Sequence, residues 1–174
     1  MHMRTAALSR IKFTVSRPEA DRVHHISPDD VRVVLSRLPP DLWRQLRAVH
    51  FNDRSVGARR LGYARPENDE ISVCALPPRM SLHRYLRGAQ TAEQFGAIAR
   101  QKWPTVAIRR FLLYDVFLHE LGHLQPVPGH RSSRLKYPRE KLAQQFAVKW
   151  CDWLWSQPFD HPDPAHHPPM LAEA

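Results

Sequence analysis

The sequence predicts a small α+β domain in which a short antiparallel sheet packs on two helices. Three features of the 174-residue chain support this prediction: short segments of alternating polarity, one long apolar segment that ends in His-Glu-x-x-His, and a further helical segment after a proline-containing loop. Alternation with a period of two is typical of strands, and apolar segments that begin at a proline are typical of helices.

The first half of the chain contains the predicted strands. We expect four of them, each bounded by polar residues, glycine or proline, at residues 8–15, 48–51, 58–64 and 71–76. Between the first two, Ser27 followed by Pro28 is typical of a helix N-terminus, and the apolar pattern continues to Leu35 or Leu38. The two prolines that follow end this helix, and a further short helix is predicted at residues 41–46.

The second half is predicted to be mainly helical. Four helices are expected, at residues 80–87, at residues 91–103, from Pro104 through the His-Glu-x-x-His motif, and from Pro138 to about Trp155. Beyond Ser156 proline, histidine and aspartate predominate, and such a segment holds too little apolar material to fold. We therefore expect one domain over residues 1–156 and a disordered tail over residues 157–174.

Composition and charge set broad limits on partners. The 26 lysines and arginines exceed the 17 aspartates and glutamates, so the formal net charge is +9. A basic balance favours acidic or polyanionic partners. Nucleic acid stays an alternative partner, although no helix-turn-helix, zinc-finger or glycine-clamp pattern accompanies the charge.

The sequence also predicts a cytoplasmic protein. No apolar segment reaches membrane-spanning length, and the first residues show no signal-peptide pattern. We therefore expect no membrane partner. The two cysteines, Cys74 and Cys151, belong to no C-x-x-C pair, so we expect reduced thiols.

The His119-Glu120-Leu121-Gly122-His123 segment carries the chemistry. On a helix, residues four apart lie about 40° from each other around the axis, so His119 and His123 can offer two imidazoles to one ion. Glu120 lies about 100° from His119 and can reach a water on that ion without binding the metal. This spacing is typical of zinc hydrolases.

A catalytic zinc ion needs a third protein ligand, and two candidates follow the motif. Glu140 lies at the edge of the apolar face of the last predicted helix, where a lone carboxylate needs a partner. It also lies in the first turn of that helix, where glutamate is common as a complement to the helix dipole. The other candidate, His130, is one residue out of register with the extended H-E-x-x-H-x-x-G-x-x-H motif.

The mechanism expected from these residues is peptide hydrolysis by a metal-activated water. Glu120 takes the proton of the water and passes it to the leaving amine. A further group is needed to stabilise the oxyanion. Tyr137 is the preferred candidate because it lies in the loop before the last helix, and Tyr114 and His130 are the alternatives.

The His119–His123 motif, followed by Glu140, Ala143, Phe146 and Ala147, resembles the small gluzincin-type metallopeptidases, especially the ImmA/IrrE-like group and the minigluzincins. The resemblance implies a zincin-like fold and one catalytic zinc ion held by the two histidines and Glu140. Glu120 would be the general base, and the substrate a peptide or protein. The basic loop after the motif and the lack of a helix-turn-helix partner domain depart from the ImmA/IrrE pattern.

Two further interpretations remain open. SprT-like proteases are also small basic proteins with H-E-x-x-H and act at DNA, but their third ligand is a histidine, a role that here falls to His130. A metal-binding module that recognises a protein without cleaving it would also use the same ligands.

Overall fold

The structure is a computed structural model that describes residues 8–54, 60–126 and 136–170, with the backbone alone for residues 136–138. It has an α+β architecture with a four-stranded sheet on one side of a central helix. The strands are β1 (Lys12–Val15), β2 (Ala48–Asn52), β3 (Gly62–Arg65) and β4 (Glu70–Cys74). Their order in the sheet is β1-β2-β4-β3.

The sheet is mixed, so the predicted antiparallel sheet is wrong. β2 runs parallel to both β1 and β4, and only β3 pairs antiparallel with β4. Parallel neighbours need a crossover connection: the chain passes from β1 to β2 through a helix, and from β2 to β4 through β3, which lies on the far side of β4. Alternation of polarity shows that a segment is a strand but does not show its direction.

The structure confirms the helix that was predicted between β1 and β2. Helix α1 (Pro28–Arg37) begins with a capping box, in which Asp30 N–H donates to Ser27 Oγ over 3.2 Å and Ser27 N–H donates to Asp30 Oδ2 over 2.8 Å. Such a cap satisfies backbone donors that the first turn leaves free. The buried residues Val31, Val34 and Leu35 hold the helix against the core.

The central helix is formed by three consecutive segments: α2 (Thr105–Phe111), a π-helical segment (Leu112–Phe117) and α3 (Leu118–His123). Helical backbone angles at Phe111 and Phe117 make them continuous. The helix is buried on nearly every side, which accounts for its unbroken apolar sequence. π-helical turns are rare and are often found at functional sites.

The last helix, α4 (Lys136–Ser156), lies against α3 and begins two residues before the predicted Pro138. A Cβ atom at Gly122 would lie 2.9 Å from Cα of Ala143 and 3.2 Å from Cβ of Phe146. Only glycine permits this separation. The close contact sets how near the motif helix comes to α4.

Three predicted helices are short turns of 3-10 helix instead: Pro40–Leu42, His83–Tyr85 and Glu93–Phe95. Positive φ angles at Gly88, Gly96 and Arg100 break any helix between residues 80 and 103. The chain there forms an irregular wall beside the central helix, held by buried Leu82, Phe95 and Trp103.

The C-terminal segment differs from its prediction. Its composition predicts disorder, but the described part, residues 157–170, packs on the domain with Ala165 and His166 buried. Arg110 donates hydrogen bonds to the carbonyl oxygens of Pro164 and His167. Tertiary ion pairs and hydrogen bonds hold this segment, and local composition does not reveal them.

No helix in the described residues is long and apolar enough to cross a membrane.

Candidate metal centre

Three side chains from two helices meet at one point, and we call them the His-His-Glu cluster. Nε2 of His119 lies 3.1 Å from Nε2 of His123. The carboxylate of Glu140 approaches both, with Oε2 at 3.3 Å from Nε2 of His119 and Oε1 at 3.3 Å from Nε2 of His123. The cluster is therefore a candidate metal site of two nitrogen donors and one oxygen donor.

The ligand atoms converge because of helix geometry. His119 and His123 lie one turn apart on α3, so their rings project from the same face. Glu140 lies in the first turns of α4, which the missing side chain of Gly122 brings close to α3. The buried Ala143 completes the contact between the two helices.

A hydrogen-bonded chain orients the first imidazole. Nδ1 of His119 lies 3.0 Å from Oε1 of Gln144, and Nε2 of Gln144 donates to Oδ1 of Asp115 over 2.9 Å. Gln90 also donates to Asp115. With Nδ1–H donating to Gln144, the lone pair of His119 is on Nε2, which faces the cluster. Such outer partners are typical of metal-binding histidines because they set the tautomer and the ring orientation.

Burial keeps both imidazoles neutral. Desolvation lowers the pKa of His119 and of His123 below the ordinary value, and the charge of Arg87 acts in the same direction on both. The nearby carboxylate of Glu140 opposes the shift but does not cancel it. Neutral imidazole is the form that binds a metal.

Glu120 is buried beside the cluster and lines a cavity of about 120 Å³. Burial raises its pKa to about 7, while the charge of Arg87 and a backbone hydrogen bond from Ala64 oppose the shift. A Cβ at Gly62 would lie 3.0 Å from Cγ1 of Val116 and 3.4 Å from Cγ of Glu120. Strand β3 thus lies directly against the motif helix at the position of this carboxylate.

Arg87 was not found by sequence reasoning. Its Nη1 lies 2.8 Å from Nε2 and 2.6 Å from Nδ1 of His119, and 3.2 Å from Oε1 of Gln144. The residue precedes Gly88 in the irregular wall, 32 positions before the histidine that it contacts. No motif or periodicity marks it, because only the folded chain brings it to the site.

The structure separates the predicted oxyanion candidates. The hydroxyl of Tyr114 is buried away from the cluster, where Nη1 of Arg37 donates to it over 3.2 Å and Nδ1 of His166 lies 3.0 Å away. Burial raises the pKa of Tyr114. This residue is therefore structural. His130 and the side chain of Tyr137 lie outside the described part of the chain, so both predictions stay open there.

Comparison of the chain with protein-family models, with curated proteins and with solved structures finds no match. The functional assignment therefore depends on the geometry of the cluster and on the chemistry of its residues.

Proposed function

We propose that this chain is a zinc-dependent peptidase of the gluzincin type, with one catalytic ion bound by His119, His123 and Glu140. The observation that carries the proposal is that the two imidazole Nε2 atoms lie 3.1 Å apart and that each has a carboxylate oxygen of Glu140 at 3.3 Å, Oε2 for His119 and Oε1 for His123. Tetrahedral zinc with bonds of about 2.0–2.2 Å requires neighbouring ligand atoms to be roughly 3.3 Å apart. Two imidazoles and one carboxylate are also an established donor set of catalytic zinc.

The cluster is open on one side, as a catalytic site must be. His119 is almost fully buried, whereas the side chain of Glu140 is 48% exposed. A structural zinc site is closed by four protein ligands, and a catalytic site leaves a position for water and substrate. Three donors at a partly exposed edge fit the second type.

Zinc in this site would lower the pKa of a water molecule and polarise the substrate carbonyl. The carboxylate of Glu120 accepts one proton from the attacking water as the new C–O bond forms. It then delivers that proton to the amide nitrogen as the C–N bond breaks, so the proton balance closes. The hydrogen bond from Ala64 and the packing of Gly62 hold Glu120 in place.

The surroundings support a peptide as substrate. β3 is the outermost strand next to the motif helix, and its far side has no paired strand among the described residues. An extended peptide can add to such an edge through backbone hydrogen bonds. A further support is the order of the elements along the chain, a sheet, then the motif helix, then the helix that carries Glu140, because the gluzincin resemblance implies the same order. As part of the proposal we place the protein in the cytoplasm, since Cys74 and Cys151 are free thiols.

The Glu120→Gln variant tests the mechanism. We expect it to keep one zinc per chain by mass spectrometry and to lose at least about 100-fold of its activity on fluorescently labelled casein. Glu93→Gln, which changes an exposed glutamate, is the matched control and should keep full activity. Equal cleavage by Glu120→Gln and the parent protein would overturn the mechanism. Zinc binding without any cleavage by the parent protein would support a non-catalytic recognition module instead.

A further inference from the structure

Arg87 is a cation at the candidate metal centre, and no carboxylate in the described part of the chain pairs with it. Within the described residues, Arg22, Arg47 and Arg109 each pair with aspartate, but Arg87 forms no ion pair. Its Nη1 instead contacts His119 and Oε1 of Gln144. A guanidinium group with free hydrogen-bond donors beside a site of this kind is ready to bind an anion.

The position of Arg87 is fixed by its own backbone. Its N–H donates to Oε1 of Gln90 over 2.9 Å, and Gln90 donates from its amide to Asp115. Asp115 also accepts from Gln144, which orients His119. Gly88 then turns the chain with a φ of +58°. One hydrogen-bonded network therefore positions both Arg87 and the first imidazole of the cluster.

The charge of Arg87 reaches the reacting groups. Arg87 and Glu120 line the same cavity of about 120 Å³. The residue itself is exposed, so its side chain is accessible to a ligand from solvent. An oxygen atom bound to an ion at the cluster would lie close to Nε2 of His119. Nη1 of Arg87 lies 2.8 Å from the same nitrogen, so Arg87 is within reach of such an oxygen.

We propose that Arg87 is a catalytic residue that donates a hydrogen bond to the carbonyl oxygen of the scissile peptide as that oxygen becomes negatively charged. This inference rests on the proposed peptidase function. Arg87 exchanges no proton in the reaction, and the proton of the water still passes through Glu120 to the leaving amine. The hydrogen bond is strongest in the transition state, so it acts on kcat more than on KM.

Arg87→Met removes the donors and keeps a side chain of similar length. We expect kcat on labelled casein to fall by about 10²–10³-fold with little change in KM, as for other oxyanion donors. Arg87→Lys keeps the charge without the planar fork and should recover part of the loss. The control is Arg139→Met, because Arg139 is also a cation near His123 but does not line the Glu120 cavity.

A second readout needs no turnover. The metal is replaced by cobalt, and its visible absorption is followed during titration with two probes to give their affinities. The first probe is an N-phosphoryl dipeptide, which presents a tetrahedral anion. The second is a thiol dipeptide, which binds through sulfur. We expect Arg87→Met to weaken the phosphoryl dipeptide by at least about tenfold and the thiol dipeptide by less than about twofold. Arg139→Met should change neither affinity by more than about twofold.

The outcomes separate this inference from the proposed function. If the parent protein cleaves casein and Arg87→Met cleaves it equally well, the role of Arg87 is overturned and the peptidase stands. If Arg87→Met loses cobalt, or binds the phosphoryl dipeptide like the parent protein, Arg87 is structural and the inference is overturned. If the parent protein binds both probes but cleaves no peptide, the proposed function fails, and with it the catalytic role of Arg87.

Discussion

Two clusters of histidine and carboxylate occur among the residues that the structure describes, and they differ in how their charge is balanced. The Asp-Asp-His cluster consists of Asp30, Asp163 and His166. Arg109 lies inside it, with Nη2 at 2.8 Å from Oδ1 of Asp30 and Nη1 at 3.0 Å from Oδ1 of Asp163. The cation that the carboxylates require is therefore already supplied by the chain.

The histidine of the Asp-Asp-His cluster is also fully occupied. One ring nitrogen of His166 lies 3.0 Å from the hydroxyl of Tyr114, and the other lies 3.2 Å from Oδ1 of Asp30. This cluster joins the C-terminal segment to α1 and the central helix. It is best interpreted as a structural ion pair.

In the His-His-Glu cluster the cation takes a different position. Arg87 contacts His119, not Glu140, and the two imidazole Nε2 atoms face each other. Two neutral nitrogen donors and one carboxylate carry a net negative charge that no cation of the chain pairs with in the described residues, so the cluster can accept a metal cation. The comparison shows that histidine and carboxylate residues alone do not identify a metal site. Whether such a cluster can bind a metal depends on whether other residues of the chain already neutralise its charge and fill its hydrogen bonds.

The largest expected effect separates the two clusters directly. His123→Ala and Glu140→Gln should each lower zinc affinity by more than about 100-fold, since three ligands sharing about 10 kcal/mol contribute about 3 kcal/mol each. Asp163→Asn should leave zinc affinity unchanged and lower the melting temperature. Competition with a chromogenic chelator and thermal unfolding measure the two quantities. If the parent protein binds a second zinc ion and Asp163→Asn does not, the Asp-Asp-His cluster is also a metal site.

A smaller effect is expected from the contact that brings the His-His-Glu cluster together. In Gly122→Ala, the new methyl group would meet Ala143 at 2.9 Å and push α4 away from α3. We expect a loss of about 1–3 kcal/mol in unfolding free energy, as for other overpacked contacts, together with weaker zinc binding. Denaturant unfolding with and without zinc tests this. Unchanged stability and affinity would mean that the helix separation does not control the site.

The last expected effect is the acid sensitivity of the Asp-Asp-His cluster. Burial would raise the pKa of Asp30, but hydrogen bonds from His166 and Ser27 and the charge of Arg109 outweigh it and lower the pKa to about 2. A depressed folded-state pKa stabilises the protein above the ordinary value near 3.8, and this contribution is lost as the pH falls toward 2.

Asp30→Asn tests this pH dependence. Its deficit in unfolding free energy relative to the parent protein should be about 2 kcal/mol at pH 5 and should shrink between pH 4 and pH 2. The measurement is made in the presence of a chelator, so that metal release at low pH does not contribute. A deficit that stays constant over this range would show that the ionised carboxylate of Asp30 is not what stabilises the cluster.

Local pattern was sufficient for several elements. The capped helix after Ser27, the apolar helix that ends in His123, and the helix that carries Glu140 were all predictable, because caps and periodicity depend on residues close in sequence. The convergence of His119 and His123 follows from the helical repeat alone.

The tertiary structure decided the rest. Strand direction depends on the path of the connections, so the mixed sheet was not visible in the alternation of polarity. The wall between residues 80 and 103 is irregular because positive φ angles interrupt it, and the terminal segment is held by distant arginines. Arg87 reaches His119 only through this wall. Spacing along a helix is determined by the sequence, whereas contacts between distant residues exist only after the core has packed.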